Sequence, residues 1–233
     1  MNVRTRFAPS PTGDLHIGGV RTALFNFLFS RQNNGFFILR IEDTDAKRNQ
    51  EQFVNNLYED FLWLGLKPDE SIFQEGEFGP YRQIQRLDIY KKYVDKLIQK
   101  KKVYYCFCSP EDLVREKEEY VKRERKSNYQ YSQKCLKLNE KEIQSLLEKN
   151  TPYVLRLKVF RDKDYQFHDL VRGQITFRGQ DIEDFILFRS NGIPNYNFAC
   201  VLDDYLMKIS HVLRGEEHLS NTGKQLVLYE AFG

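Results

Sequence analysis

Apolar residues recur every three or four positions along several stretches of the chain, which is the spacing of an amphipathic helix. In residues 48–64 the recurring positions are Phe53, Leu57, Phe61 and Leu64. Gly65 follows them, and a glycine at that point is typical of a helix end. The pattern predicts helices over residues 19–31, 48–64, 82–101, 110–125, 140–149, 196–202 and 222–231.

Shorter apolar runs between turn residues predict strands. They lie at residues 3–7, 36–41, 103–106, 153–159, 174–177, 185–187 and 208–212. The strand–helix–strand order at the front predicts an α/β fold with a Rossmann-like, doubly wound parallel sheet and a ligand crevice at the carboxyl ends of its strands. The middle of the chain breaks this alternation. We therefore interpret residues 76–190 as an inserted domain, with residues 1–75 and 191–233 as the first half and the start of the second half of the α/β fold.

Composition narrows the class of protein without deciding it. The 233 residues are 41% hydrophobic and 30% charged, which suits a globular chain with a buried core rather than a disordered one. No apolar run reaches the ~18 residues that span a bilayer, and residues 1–6 lack the apolar core of a signal peptide. We expect a cytoplasmic protein. The net charge of +3 is weak evidence for any partner, although basic residues concentrate in residues 91–102 and 117–126.

The run from Arg6 to Gly19 carries the most distinctive chemistry of the chain. It reads Arg-Phe-Ala-Pro-Ser-Pro-Thr-Gly-Asp-Leu-His-Ile-Gly-Gly and joins the first predicted strand to the first predicted helix. Backbone N–H groups at a helix start bind anions, and small residues let a nucleotide approach the backbone. An ordinary strand-to-helix loop is the alternative, because glycines are common in such loops.

The same run resembles the opening of the bacterial glutamyl-tRNA synthetases, with His16-Ile17-Gly18-Gly19 similar to the HIGH element of class I aminoacyl-tRNA synthetases. Further blocks of that family are matched in order. They are residues 40–45 (Arg-Ile-Glu-Asp-Thr-Asp), 79–83 (Gly-Pro-Tyr-Arg-Gln), 196–198 (Tyr-Asn-Phe) with 203–204 (Asp-Asp), and 211–218 (His-Val-Leu-Arg-Gly-Glu-Glu-His). The resemblance covers nearly the whole chain.

The resemblance implies that glutamate and ATP react to glutamyl-adenylate and that the glutamyl group is then transferred to the terminal adenosine of tRNA-Glu. The positions matching the family's glutamate contacts are Arg6, Ser10, Glu42, Tyr196 and Arg214. Guanidinium groups suit the two carboxylates of glutamate and an acid suits its ammonium. The residue types do not say which arginine takes which carboxylate, and structural ion pairs are the alternative for both arginines.

For ATP the resemblance implies binding by Pro11, Thr12, His16, Gly18, Gly19, Glu217 and His218, with Mg²⁺ accompanying the nucleotide. It implies a catalytic role for His16, which would stabilise charge at the α-phosphate in the transition state. Cys200 stands where some relatives have asparagine near the substrate, and we leave it out of the site.

The resemblance also implies an organisation and partners. The inserted domain would bind the acceptor end of tRNA-Glu, and we expect a monomer. Family members continue into a lysine-rich KMSKS-like loop and an anticodon-reading helical domain, neither of which is found in these residues. We therefore expect that the chain is the catalytic half of a longer protein.

The cysteines raise the question of a metal. Cys106 and Cys108 form a close pair, and Cys135 follows with Tyr131 four residues before it. Thiolates prefer zinc, and structural zinc sites take four ligands. Some members of the family hold zinc through Cys-x-Cys and a later cysteine, so the resemblance implies a structural Zn²⁺ on these cysteines, with Tyr131 in place of a histidine. Free thiols in a reducing compartment are the alternative.

Three other functions stay open at this point. One is the short paralogue of the family, a glutamyl-queuosine tRNA-Asp synthetase that glutamylates a modified tRNA base. Another is a non-catalytic RNA-binding module of the same fold, against which Arg6, His16, Glu42 and Arg214 argue. Glutaminyl specificity is the third, although residues 42–45 look glutamyl.

Overall fold

A computed structural model describes residues 2–44, 49–125 and 129–233. Asp45 of the second block, Arg48 at the predicted start of the second helix and Lys126 of a basic stretch lie outside the described residues. The chain divides into two compact units, of which the first comprises Met1–Lys91 and Ala199–Ser220 and the second Lys92–Phe198 and Asn221–Gly233.

The elements follow in chain order. They are β1 (Arg4–Phe7), α1 (Ile17–Gln32), β2 (Phe36–Leu39), α2 (Glu51–Trp63), α3 (Leu87–Gln99), β3 (Val103–Cys106), α4 (Pro110–Glu124), α5 (Glu140–Glu148), β4 (Val154–Leu157), β5 (Asp164–Asp169), β6 (Gly173–Arg178), β7 (Ile186–Phe188), α6 (Tyr196–Leu206) and α7 (Leu219–Phe232). A 3₁₀ turn at Gln83–Arg86 precedes α3. None of the described helices is long and apolar enough to cross a membrane.

The first unit is built on a βαβ motif. Strands β1 and β2 pair in parallel, with Arg4 beside Phe36 and Phe7 beside Leu39, and α1 connects them. Residues 37–39 of β2 are fully buried, as expected for a parallel strand covered on both faces. Helix α2 packs Val54, Leu57 and Phe61 onto this sheet, which confirms the helix predicted from the apolar spacing.

Helix α1 is present but does not bury an apolar stripe. Its buried residues are Ala23, Asn26 and Ser30. The Thr5 hydroxyl of β1 donates to the Asn26 carbonyl at 2.9 Å, and the Asn26 amide donates to the Leu213 carbonyl at 2.9 Å. Small and polar groups thus fasten α1 to β1 and to the segment that follows α6.

The second unit carries a three-stranded antiparallel sheet in the order β3-β4-β7 and a hairpin of β5 and β6. The start of α4 agrees with its sequence: Ser109 and Asp112 form a capping box and Pro110 takes the first helical position. Helix α5 begins with a second capping box, formed by Asn139 and Glu142.

One strand prediction is wrong, and one strand was not predicted. Residues 208–212 form no strand; within this segment the N–H groups of Ser210 and His211 both donate to the Arg4 carbonyl of β1, at 2.9 and 3.3 Å, and the Ser210 hydroxyl accepts from the Arg4 N–H. The sequence reasoning also missed β5, whose charged ends obscure the alternation of Tyr165 and Phe167. The predicted helix over 82–101 begins as the 3₁₀ turn and becomes α-helical at Leu87.

Candidate active site

Two oppositely charged side chains lie where the parallel strands of the first unit end. Arg6 is in β1, and Glu42 follows β2 by three residues. The N–H of Glu42 donates to the Pro9 carbonyl at 3.0 Å, so the segments that follow β1 and β2 lie side by side. Arg6 is 5% exposed and Glu42 is 7% exposed. Carboxyl ends of parallel strands are where α/β folds bind ligands.

A chain of ion pairs connects these two groups. Arg6 Nε donates to both Asp204 oxygens at 3.2 Å, and Arg40 Nη1 donates to Asp204 Oδ1 at 2.7 Å. Arg40 Nη2 in turn donates to Glu42 Oε1 at 2.9 Å. Arg40 is fully buried and Asp204 is 3% exposed. Unpaired buried charges are costly, so each of these groups depends on its partners.

The ion pairs of the network oppose the effect of burial on the charge of each member. Burial opposes the charge of Asp204, but the guanidinium groups of Arg6 and Arg40 outweigh it and hold the pKa of Asp204 below its usual value. Burial likewise works against Arg6, whose pKa is nevertheless raised by the Asp204 carboxylate. At Glu42 burial is the larger effect and raises the pKa, while Arg40 opposes the rise. Ionised Glu42 therefore depends on Arg40.

The neighbouring Asp203 lies 3.7 Å from the same Arg40 but makes its hydrogen bonds with other groups. Arg86 Nε donates to it at 2.6 Å, Gln83 Nε2 at 2.9 Å and the Tyr90 hydroxyl at 2.8 Å. All of these groups are buried. Asp203 thereby fastens α6 to the segment that contains the third matched block, residues 79–83.

Arg82 of that block and the adjacent Ile84 also contact Asp43, which lies just after β2. The backbone N–H of Ile84 donates to Asp43 Oδ1 at 2.9 Å, and Arg82 Nε lies 2.9 Å from Asp43 Oδ2. Arg82 Nη2 also pairs with Glu51 at the start of α2. The block and the segment after β2 thus pack against each other.

Cys200 lies among the buried charges without a strong bond to any. Its Sγ is 3.7 Å from Arg40 Nη2, 4.0 Å from Arg6 Nη2 and 3.9 Å from Asp204 Oδ2. Burial, with the nearby carboxylates, raises the pKa of this thiol to about 12, so it is neutral. The thiol fills space between the two arginines.

The glycine-containing loop before α1 presents backbone and side-chain groups around His16. This residue is the N-cap of α1, and its Nδ1 accepts from the Gly18 N–H at 3.2 Å. A Cβ on Gly18 would lie 2.9 Å from the His16 ring, so a side chain here would displace that ring. Ser10, Thr12 and His16 are exposed, Gly19 is half-buried and Pro11 is buried.

The segment after α6 brings Arg214, Glu217 and His218 into the first unit. Arg214 and His218 are half-buried and Glu217 is exposed. Burial lowers the pKa of His218, and the positive charges of Arg214 and Arg6 lower it further. A Cβ on Gly215 would clash with the Glu217 carboxylate. The structure therefore places His218 within electrostatic reach of both arginines predicted to bind glutamate.

Tyr196 is the remaining residue predicted to bind glutamate. It is half-buried at the start of α6 and belongs to the second unit.

The cysteine cluster lies in the second unit, where the sulfur atoms of Cys106, Cys108 and Cys135 are all within 4.8 Å of one another. The Tyr131 hydroxyl is 3.4 Å from the sulfur atoms of both Cys106 and Cys108 and accepts from the Cys135 N–H at 3.1 Å. The Arg156 guanidinium lies 4.3 Å from the Tyr131 ring centre. Hydrogen bonds from Cys135 and Tyr131 lower the pKa of Cys106 against its burial. Three thiols at this spacing could hold a soft metal ion such as zinc.

Sequence reasoning assigned no role to Arg40 or Asp204, although both lie in matched blocks. A signal existed for each residue: Arg40 directly follows the apolar run Phe36–Leu39, and Asp204 interrupts the apolar face of α6. Charged residues inside buried elements are rare unless they are paired.

A βαβ motif whose glycine-containing turn opens a helix, with buried charges at the strand exits, defines a Rossmann-like nucleotide-binding domain. The chain belongs to the class I tRNA synthetases of the glutamate and glutamine type, because the family described as "tRNA synthetases class I (E and Q), catalytic domain" matches residues 2–233.

The names of individual proteins similar to this chain are consistent with this family. The chain is 54% identical over 235 residues to glutamate–tRNA ligases of Geobacillus thermodenitrificans and Geobacillus stearothermophilus, and each match covers 100% of this chain and 47% of the relative. A crystal structure of a glutamate tRNA ligase from Elizabethkingia meningosepticum in complex with its amino acid superposes with a TM-score of 0.93 at 42% identity, covering 100% of this chain and 47% of that one. The chain thus spans about half the length of its curated relatives. These names favour the synthetase hypothesis over the alternatives considered from the sequence.

Proposed function

We propose that this chain forms the catalytic half of a glutamate–tRNA ligase. It activates L-glutamate with ATP and transfers the glutamyl group to the 3′-terminal adenosine of tRNA-Glu. The observation that carries the proposal is the buried Arg6–Asp204–Arg40–Glu42 network at the exits of the parallel strands. It offers a cation and an anion side by side, which suits an amino acid with carboxylates and an ammonium.

In this proposal Arg6 and Arg214 bind the two carboxylates of glutamate and Glu42 accepts from its ammonium. Arg6 is suited to this because its Nε edge is taken by Asp204, whereas among the described residues its Nη2 has only the 4.0 Å contact to Cys200. Ser10, exposed in the loop beside the Glu42 backbone, and the Tyr196 hydroxyl would add hydrogen bonds.

ATP would bind along the loop and the first turn of α1. Pro11, Thr12, Gly18 and Gly19 would accommodate the nucleotide, and Glu217 and His218 would contact it from the segment after α6. A carboxylate oxygen of glutamate attacks the α-phosphorus, the bond to the β-phosphate oxygen breaks and pyrophosphate leaves. His16 donates to the α-phosphate oxygens, where negative charge increases in the transition state. Mg²⁺ bound with ATP would neutralise phosphate charge.

The remaining parts of the chain are assigned in relation to tRNA-Glu, the second substrate. We propose that residues 76–190 form the domain that binds the tRNA acceptor end and that residues 191–233 begin the second half of the nucleotide-binding fold. We further propose that the protein acts in the cytoplasm as a monomer.

Zinc is the cofactor proposed for the second unit. Cys106, Cys108 and Cys135 would be thiolate ligands and the Tyr131 oxygen the fourth ligand, which agrees with their mutual distances. A metal at this position would connect β3 to the turn that contains Cys135. Its role would be structural, since four protein ligands leave no open position.

Isothermal titration calorimetry of this chain with L-glutamate tests the proposal, with L-glutamine and L-aspartate as controls. We expect binding of glutamate alone, because an amide replaces a carboxylate in glutamine and aspartate is one methylene shorter. Arg6→Met should weaken glutamate binding to the millimolar range, whereas the exposed Arg178→Met should retain wild-type binding. Equal binding of glutamine, or a signal unaffected by Arg6→Met, would refute the proposed site.

A further inference from the structure

Adjacent aspartates in α6 face two different environments. Asp203 is held by Arg86, Gln83 and Tyr90 and lies 3.7 Å from Arg40 Nε, whereas Asp204 is held by Arg6 and by Arg40 Nη1 at 2.7 Å. Both carboxylates are buried. The two neighbouring carboxylates therefore differ in what they hold in place. Only Asp204 contacts a residue proposed to bind substrate, which is Arg6.

The contact between Asp204 and Arg6 uses one edge of the guanidinium. Nε of Arg6 is 3.2 Å from each Asp204 oxygen. A guanidinium has five N–H donors in a rigid plane, so a partner on the Nε edge leaves the terminal Nη edge available for a second carboxylate. Among the described residues, the only contact found for that terminal edge is the weak one of Nη2 with Cys200 Sγ at 4.0 Å.

Asp204 is itself held from the other side. Arg40 Nη1 donates to its Oδ1 at 2.7 Å, and the Asp203 contacts anchor the same turn of α6. The carboxylate thus has little freedom to follow Arg6, and Arg6 must align with it. Ligand groups held by locked neighbours bind better because less ordering is needed on binding.

We propose that Asp204 is a positioning residue for glutamate, which aligns Arg6 so that its terminal N–H groups meet a substrate carboxylate, while Asp203 serves only the fold. The inference rests on the proposed function and adds a residue that does not itself touch the substrate. It predicts that Asp204 acts entirely through Arg6.

A double-mutant cycle measured by calorimetry tests this inference. We expect Asp204→Asn to weaken glutamate binding about 10- to 100-fold. In the Arg6→Met background, titrated into the millimolar range, the same substitution should have almost no further effect. Glutarate, which has two carboxylates and no ammonium, should lose the same factor as glutamate. Asp203→Asn is the matched control, and its folded fraction should bind glutamate with wild-type affinity.

The outcomes separate the two proposals. If the wild-type chain binds no glutamate, the proposed function fails and this inference fails with it. If the wild type binds but Asp204→Asn binds equally well, or its loss adds to that of Arg6→Met, only the positioning role is refuted. A loss restricted to glutamate and absent for glutarate would also refute it, because that pattern reports on the ammonium. If Asp204→Asn yields too little folded chain, Asp204→Glu, which keeps the charge but displaces it by one methylene, replaces it in the cycle.

Discussion

The buried charges of the first unit and the cysteine cluster of the second unit are stabilised in opposite ways. Arg6, Arg40, Glu42 and Asp204 pair cation with anion and satisfy one another. The cluster instead gathers like groups, three thiols and a phenol, which contact one another, with the Arg156 guanidinium near the phenol ring. A set of paired charges is organised before any ligand arrives, whereas a set of like donors is completed by a cation. Ligand removal should therefore matter far more in the second unit.

The largest expected effect is that of zinc removal. Binding of structural zinc contributes on the order of 10 kcal/mol in small domains, and this free energy is coupled to folding. We expect metal analysis to find about one zinc per chain, and chelation to expose the second unit to proteolysis while glutamate binding changes less. The Cys108→Ser variant should bind no metal, and the Tyr131→Phe variant should bind it with lower affinity.

Cys200→Ser is the matched control for zinc, because Cys200 is a buried cysteine outside the cluster. It should retain the full metal content. A metal-free wild-type chain that is fully folded would overturn the proposed zinc site and remove the contrast between the two units.

The next largest effect is expected from Arg40→Met in the first unit. The substitution leaves Glu42 and Asp204 buried beside a neutral side chain, and removal of one partner of a buried ion pair costs about 3–5 kcal/mol. Chemical denaturation should report this loss. Arg31→Met is the control, because the Arg31–Asp69 pair is about one-third exposed and such pairs contribute ~0–1 kcal/mol. Equal losses for the two variants would mean that the buried network does not hold the first unit together.

A smaller effect, on binding rather than folding, is expected from Arg214→Ala. A hydrogen bond to a charged group is worth about 2 kcal/mol, or ~30-fold in affinity. Glutamate affinity should fall by that factor while the unfolding midpoint stays close to wild type, because the side chain is only half-buried. Arg178→Ala, at an exposed arginine paired with Asp181, should leave affinity unchanged. An unaltered glutamate affinity in Arg214→Ala would exclude Arg214 from the site.

Sequence predicted the parts of this structure that depend on local signals. Ser109 and Pro110 mark the start of α4, and the spacing of Leu57 and Phe61 marks the buried face of α2. The side chains of Cys106, Cys108, Cys135 and Tyr131 lie close together, while their role as zinc ligands stays a prediction from the resemblance. The Arg40–Asp204 pair could not be predicted from periodicity, because the partners are 164 residues apart. Residues 208–212 show the reverse error, since a short apolar run predicts a strand where the structure shows only bonds from Ser210 and His211 to Arg4 of β1 among the described residues.

The smallest expected effect is that of Ser109→Ala, at the capping box directly after Cys108. The Ser109 hydroxyl accepts from the Asp112 N–H at 3.1 Å, and the Ser109 N–H donates to the Asp112 carboxylate at 3.2 Å. Loss of such a cap costs about 1 kcal/mol. Asn139→Ala removes the equivalent box from α5, so both variants should lose similar stability. The cap of α4 also holds the loop after β3, which contains Cys108. If this loop must be held in place for the thiols to lie together, only Ser109→Ala should also lower the zinc affinity, as measured by competition with a chelator. Equal zinc affinity in the two variants would show that the metal, rather than the loop, organises the cluster.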